Sequence, residues 1–142
     1  MDASSIAMIA SAAVSLLVPY LKSLGEGIAK KAGEEIGKKT GETAWRKTQH
    51  LYETIKTKFM TKSDTSKIIN ALAKSPEDTD TQSATRFHLK EVMTSDEYFA
   101  KELATILKEA SDAGADTIFH TTIYGNVQKL VQMGNVFGDV KI

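Results

Sequence analysis

The side chains that could carry chemistry are few and scattered. His50, His88 and His120 are isolated from one another. The nearest thing to an acid/base pair is His50 with Glu53, one helical turn apart. A histidine and a carboxylate can pass a proton only when a third group holds a substrate beside them, and at this spacing a surface contact is the default reading. There is no HExxH, no phosphate-cradling Walker loop and no GxSxG. The chain has no cysteine, which excludes disulfides, thiolate zinc sites and cysteine nucleophiles. The expectation is a protein that is not an enzyme and has no metal or cofactor. A different chemistry is available near the C-terminus, where Asn126, Gln128, Gln132 and Asn135 are interleaved with apolar residues. Side-chain amides both donate and accept, so identical ones form ladders when copies stack in register.

The elements that must position these groups fall into three zones. Residues 1–60 carry nine Lys/Arg against six Asp/Glu, residues 61–114 seven against ten, and residues 115–142 two against two. The formal net charge of zero therefore hides a basic, an acidic and a nearly uncharged zone. That balance argues against a nucleic-acid partner, which needs a basic field. A length of 142 residues with 42% hydrophobic and 25% charged content fits a single globular domain with a short appendage.

Residues 3–21, ASSIAMIASAAVSLLVPYL, contain no charge. A signal peptide would want positive charge before the apolar run, and only Asp2 is there. As a transmembrane helix the stretch is near the short limit and is diluted by four serines and Pro19. Ser4, Ser11, Ser15 and Lys22 fall on one helical face, and Ile6, Ile9, Ala13, Leu16, Leu17 and Leu21 on the other. One reading is the central helix of a bundle. The other is a segment that leaves the bundle for a bilayer, where hydroxyls cost far less than charges. Both hold if they describe different states.

Residues 26–60 read as one long helix or two with a break. AKKAGEEI at 29–36 is echoed by GKKTGETA at 37–44, and Gly33, Gly37 and Gly41 recur every four residues. Each glycine costs a helix about 0.8–1 kcal/mol relative to alanine. The ridge they form implies close approach of another helix, an element of low stability, or simple close packing. The lysines here interleave with glutamates, so a solvated face is the default and contact with anionic lipid the alternative.

In the middle of the chain, Asp64 or Thr65 is expected to cap a helix carrying Ile68, Ile69, Leu72 and Ala73. Residues 77–80 open the next, through Phe87, Leu89, Val92 and Met93. Thr94 with Glu97 has capping-box spacing before Phe99, Leu103, Ile106, Leu107 and Ala110. Ala113-Gly114 stops that helix. The expected fold is all-α: a bundle of about five helices over residues 1–114, with a short β or amyloid-forming tail over 115–142.

The tail has a different grammar. From Thr117 onward, β-forming residues are separated by Gly125-Asn126, Gly134-Asn135 and Gly138-Asp139. Its strands are too short and few for a free-standing sheet. It reads as a hairpin packed on its own bundle, an edge strand that dimerises, or a segment that self-stacks.

Two resemblances bear on that choice. Val131-Gln132-Met133-Gly134 matches the hydrophobic–Gln–hydrophobic–Gly core of the RIP homotypic interaction motif. With Gly125-Asn126 before it and Asn135 and Gly138-Asp139 after it, the frame resembles bacterial and fungal amyloid signalling motifs. Residues 12–59, then Ser75-Pro76-Glu77-Asp78, Lys90 and residues 103–110, are similar to bacterial Bell-type helical domains. Those are related to fungal Bell and HeLo domains and to the killer bundle of mixed-lineage kinase domain-like proteins. His88-Leu89-Lys90 departs from the blander polar–apolar pair expected there.

The resemblance implies a cytoplasmic protein that moves to the inner face of the cell membrane and kills the cell in antiphage defence. A nucleotide-binding receptor with a matching amyloid motif would template the tail. Val127, Gln128, Val131, Gln132, Met133, Gly134, Asn135, Val136, Gly138 and Asp139 would form the stacked core of a homo-oligomer. Ile6, Ile9, Val14, Leu16, Leu17, Val18 and Leu21 would then enter membrane lipid, with Gly33, Gly37 and Gly41 packing helices. The competing expectation is a non-lytic adaptor that self-assembles through the same tail.

Overall fold

The computed structural model describes residues 1–25 and 42–115. Those residues form five helices and no strand: α1 (Ala3–Gly25), α2 (Glu42–Phe59), α3 (Ser63–Lys74), α4 (Thr79–Ser95) and α5 (Glu97–Asp112). The expected all-helical bundle is present. Gly33, Gly37 and Gly41, and all the tail residues expected to stack, lie outside the described residues.

The uncharged helix is the one in the middle. α1 packs against all four others, because only a helix without charge can be covered on so many sides without stranding an ion in the core. Ile9, Leu16 and Leu17 are fully buried, as are Leu51, Ile55 and Phe59 of α2, and Leu103 and Leu107 of α5. Around α1, α2 and α5 run antiparallel, pinned by Lys47–Glu109 at 3.2 Å toward one end and Lys58–Asp96 at 2.6 Å at the other. The Met1 ammonium lies 2.9 Å from Glu97, and Lys22 lies 3.3 Å from Glu77 just before α4. α1 therefore runs alongside α5 and against α4. That pairing puts Gly25, Glu42 and Ala115 at one end of the bundle, opposite Met1.

The helix boundaries follow some local signals and depart from others. Asp78 caps α4 by accepting from the Thr81 N–H at 2.9 Å, inside the expected opening. α5 ends at Ala113, and Gly114 follows at φ +90°, a left-handed turn that favours glycine. Ala115, just past it, is still buried. Two expected caps are different. Thr94 sits inside α4 and donates to the Lys90 carbonyl at 2.7 Å. Asp96 caps α5 instead, accepting from the Phe99 N–H at 3.1 Å. Asp is the stronger cap, and Thr94 is still inside α4; the same Asp96 carboxylate also meets Lys58. α3 has Lys62 at its cap position with no side-chain bond. Thr65, half a turn inside, donates to the Phe59 carbonyl at the end of α2 rather than capping its own helix.

Phe87 also departs from expectation. It is 54% exposed, edge-on to the His88 ring at 5.3 Å. The core face of α4 is Thr85, Leu89 and Met93, spaced by four. A residue two positions from Leu89 must point away from that face.

Candidate functional site

α1 is the candidate site, and its two faces separate as the spacing predicts. Ser4, Ser11, Ser15 and Lys22 are all exposed. Of the residues expected to enter lipid, Ile6, Ile9, Val14, Leu16, Leu17 and Leu21 are buried in the core, and Val18 is half-buried. The structure thus gathers them into one apolar face, but keeps that face inside the protein. The stretch Ala3–Leu24 is long and apolar enough to cross a membrane by length and composition. A buried helix at the centre of a soluble bundle meets the same criterion.

The ends of α1 carry contacts that the residue pattern did not single out. Asp2 accepts from the Ser5 N–H at 2.8 Å, capping the first turn. That bond holds the Asp2 carboxyl below its ordinary pKa of 3.8. The signal was available, since Asp just before a long apolar helix is a cap. At the other end, the Tyr20 ring lies 5.4 Å from Trp45 and 6.2 Å from Tyr52. Tilted rings at such distances are worth about 0.5–1.5 kcal/mol beyond area burial. Burial, with the charge of Glu53 adding to it, pushes the Tyr52 hydroxyl up from its usual value. Trp45 and Tyr52 lie seven apart in the sequence, a helical spacing. Their meeting with Tyr20 from another helix is not a local pattern.

A cleft of about 600 Å³ lies between α2, α3 and α4, lined by Lys58, Lys62, Asp64, His88, Glu91 and Asp96. Within it Lys58 pairs with Asp96 at 2.6 Å, and His88 Nδ1 lies 3.4 Å from Glu91 Oε1. Asp96 is held below its usual pKa, first by the Lys58 ammonium and then by the Phe99 amide. His50 and Glu53 are both exposed on α2. Among the described residues no group of three or more His, Asp or Glu could hold a metal ion. No family model, curated protein or solved structure matches the chain.

Proposed function

We propose that this protein is a membrane-disrupting cell-death effector of bacterial innate immunity, triggered when a nucleotide-binding receptor templates its C-terminal motif. The observation that carries the reading is α1: a helix free of charge from Ala3 to Leu21, stored at the centre of the bundle, whose exposed residues carry no charge except the terminal Lys22. Such a helix can exchange protein for lipid at little polar cost, while a helix bearing charges midway along its outer face cannot.

The order of events follows from dimensions. Stacked β-strands repeat every 4.7–4.8 Å or so. A single helix with its side chains is about 10–12 Å across. Bundles tethered to such a stack through a short linker near Gly114 cannot all pack identically beside it. The crowding loosens them and delivers many copies of α1 to one patch of membrane, where each added copy raises the local concentration. At rest the protein is cytoplasmic, and on activation it gathers at the inner face of the cell membrane.

The test is dye release from anionic liposomes by the full chain, seeded with fibrils of residues 117–142. Seeded protein should release dye, and Gln132→Lys or Gly134→Glu should abolish seeding with the bundle still folded. Cell killing by those variants on receptor activation would show that the tail is not the trigger. The burial of α1 favours one second reading, a non-lytic adaptor whose α1 serves only as core. That reading predicts seeding without dye release.

A further inference from the structure

α1 contains Pro19, the only proline inside any described helix. Proline has no N–H, so the Ser15 carbonyl lacks its helical donor, and the ring crowds that same carbonyl. Helices bend at such points. Ser15 is exposed, so the break faces water.

The two sides of Pro19 are held differently. Beyond it, Tyr20 is clamped by Trp45 and Tyr52, Leu21 is buried, and Lys22 pairs with Glu77 at 3.3 Å. Before it, no side chain of residues 3–18 makes a hydrogen bond or ion pair to another helix among the described residues. The Ser5 hydroxyl is buried and makes no hydrogen bond to another helix. The Met1 ammonium ties its start to Glu97 at 2.9 Å, while residues 3–18 themselves are kept in place by apolar packing, the one attraction that lipid can replace.

We propose that Pro19 is a hinge dividing α1 into a releasable arm, residues 3–18, and an anchor, residues 20–22, that stays in the bundle. The use of the arm rests on the membrane-disrupting reading, while the hinge itself does not. The arm's roughly 16 residues extend about 24 Å at about 1.5 Å each. The hydrocarbon core of a bilayer is about 30 Å thick. The arm therefore enters as a wedge that stops short of crossing, and Leu21 remains with the protein.

Hydrogen exchange on the full chain in solution, with no membrane present, tests the hinge directly. Amides of residues 7–18 should exchange at least tenfold or so faster than those of 20–24 through local opening. Pro19→Ala restores the missing bond and should slow the arm by roughly tenfold or more, with the anchor unchanged. Tyr20→Leu should instead bring the anchor toward the arm's rate. Equal exchange on both sides of Pro19, or no response to Pro19→Ala, overturns the hinge. Because the chain has no cysteine, single labels place each part in lipid. With seeded protein on phosphatidylglycerol vesicles, a polarity-sensitive dye at Ser11→Cys should enter the bilayer and one at Ser23→Cys should stay in water. Entry of the Ser23→Cys dye means that the whole helix leaves, and sinks the hinge. Entry of neither dye, with two exchange rates in solution, leaves the hinge standing and removes the membrane-disrupting reading.

Discussion

α1 and α5 begin at the same end of the bundle and both bury a long apolar face, but their outer faces differ in kind. α5 presents Glu97, Lys108, Glu109 and Asp112 to water. It is tied to α2 by the flanking Lys58–Asp96 pair and by Lys47–Glu109, and Asp96 and Ala113 close its two ends. α1 presents Ser4, Ser11 and Ser15. Moving α5 into lipid would drag several ions with it, at about 2.5–3.5 kcal/mol each for those near the bilayer centre. Moving α1 would drag hydroxyls. Core helices are therefore not interchangeable: the inner face decides whether a helix belongs in the bundle, and the outer face decides whether it can leave.

The largest test asks whether the inner faces really are equivalent. Leu17 and Leu103 are both fully buried. Leu17→Ala and Leu103→Ala should each lower the unfolding free energy by about 2–5 kcal/mol, measured by urea titration. A much smaller loss for Leu17→Ala would mean that α1 is a peripheral helix, and the comparison would fail at its first term.

The outer faces should then separate. Ser11 and Thr105 are both exposed, one on α1 and one on α5. Ser11→Lys and Thr105→Lys should each leave stability within about 0.5 kcal/mol. Seeded dye release should fall about 100-fold for Ser11→Lys alone, the equivalent of carrying one lysine into hydrocarbon at about 2.5–3.5 kcal/mol. Equal effects of the two lysines on release would break the assignment of α1 as the mobile helix.

This contrast was half legible in the sequence. Freedom from charge over residues 3–21 and the 7-4-7 spacing of Ser4, Ser11, Ser15 and Lys22 are local periodicities, and both faces of α1 followed from them. The helical class and the chain positions of α2 to α5 came from the same kind of pattern. What escaped depends on partners distant in sequence. The Asp96 cap is also held by Lys58, on another helix. Thr65 is recruited by the end of α2. The aromatic clamp needs Tyr20 and Trp45 brought together by folding, and the Pro19 hinge gains meaning only once that clamp is seen. Periodicity reports which face is buried and is silent about which residue of another helix it meets.

Acid should act at the starts of both helices, through the Asp2 cap on α1 and through Asp96 and Glu97 on α5. The carboxyls of Asp96 and Glu97 at the start of α5 are both held below their ordinary values of 3.8 and 4.5, by Lys58 and by the Met1 ammonium respectively. A depressed carboxyl contributes stability that is complete above its unfolded value and is lost as pH falls through its folded one. Thermal midpoints should be flat from neutral pH to about 5 and fall below about 4. Asp96→Asn keeps a capping oxygen but removes the charge. It should lower the midpoint by a few degrees at pH 7 and flatten the acid fall. An unchanged acid profile would remove the α5 junction as its source.

The smallest difference is between two hydroxyls. Ser5 on α1 and Ser111 on α5 are both buried, and each Oγ is without a hydrogen-bond partner. A buried hydroxyl left unpaired is costly, and alanine is also the better helix former, so Ser5→Ala and Ser111→Ala should each stabilise the fold by up to about 1 kcal/mol. The consequences should diverge. Ser5 lies in the arm before Pro19, so relieving its hydroxyl should slow hydrogen exchange of residues 7–18 and reduce seeded dye release. Ser111→Ala should raise global stability and leave the arm's exchange untouched, because α5 does not open with it. If both substitutions slow the arm equally, α1 opens only when the whole bundle does, and the distinction between a helix that stays and a helix that leaves would vanish.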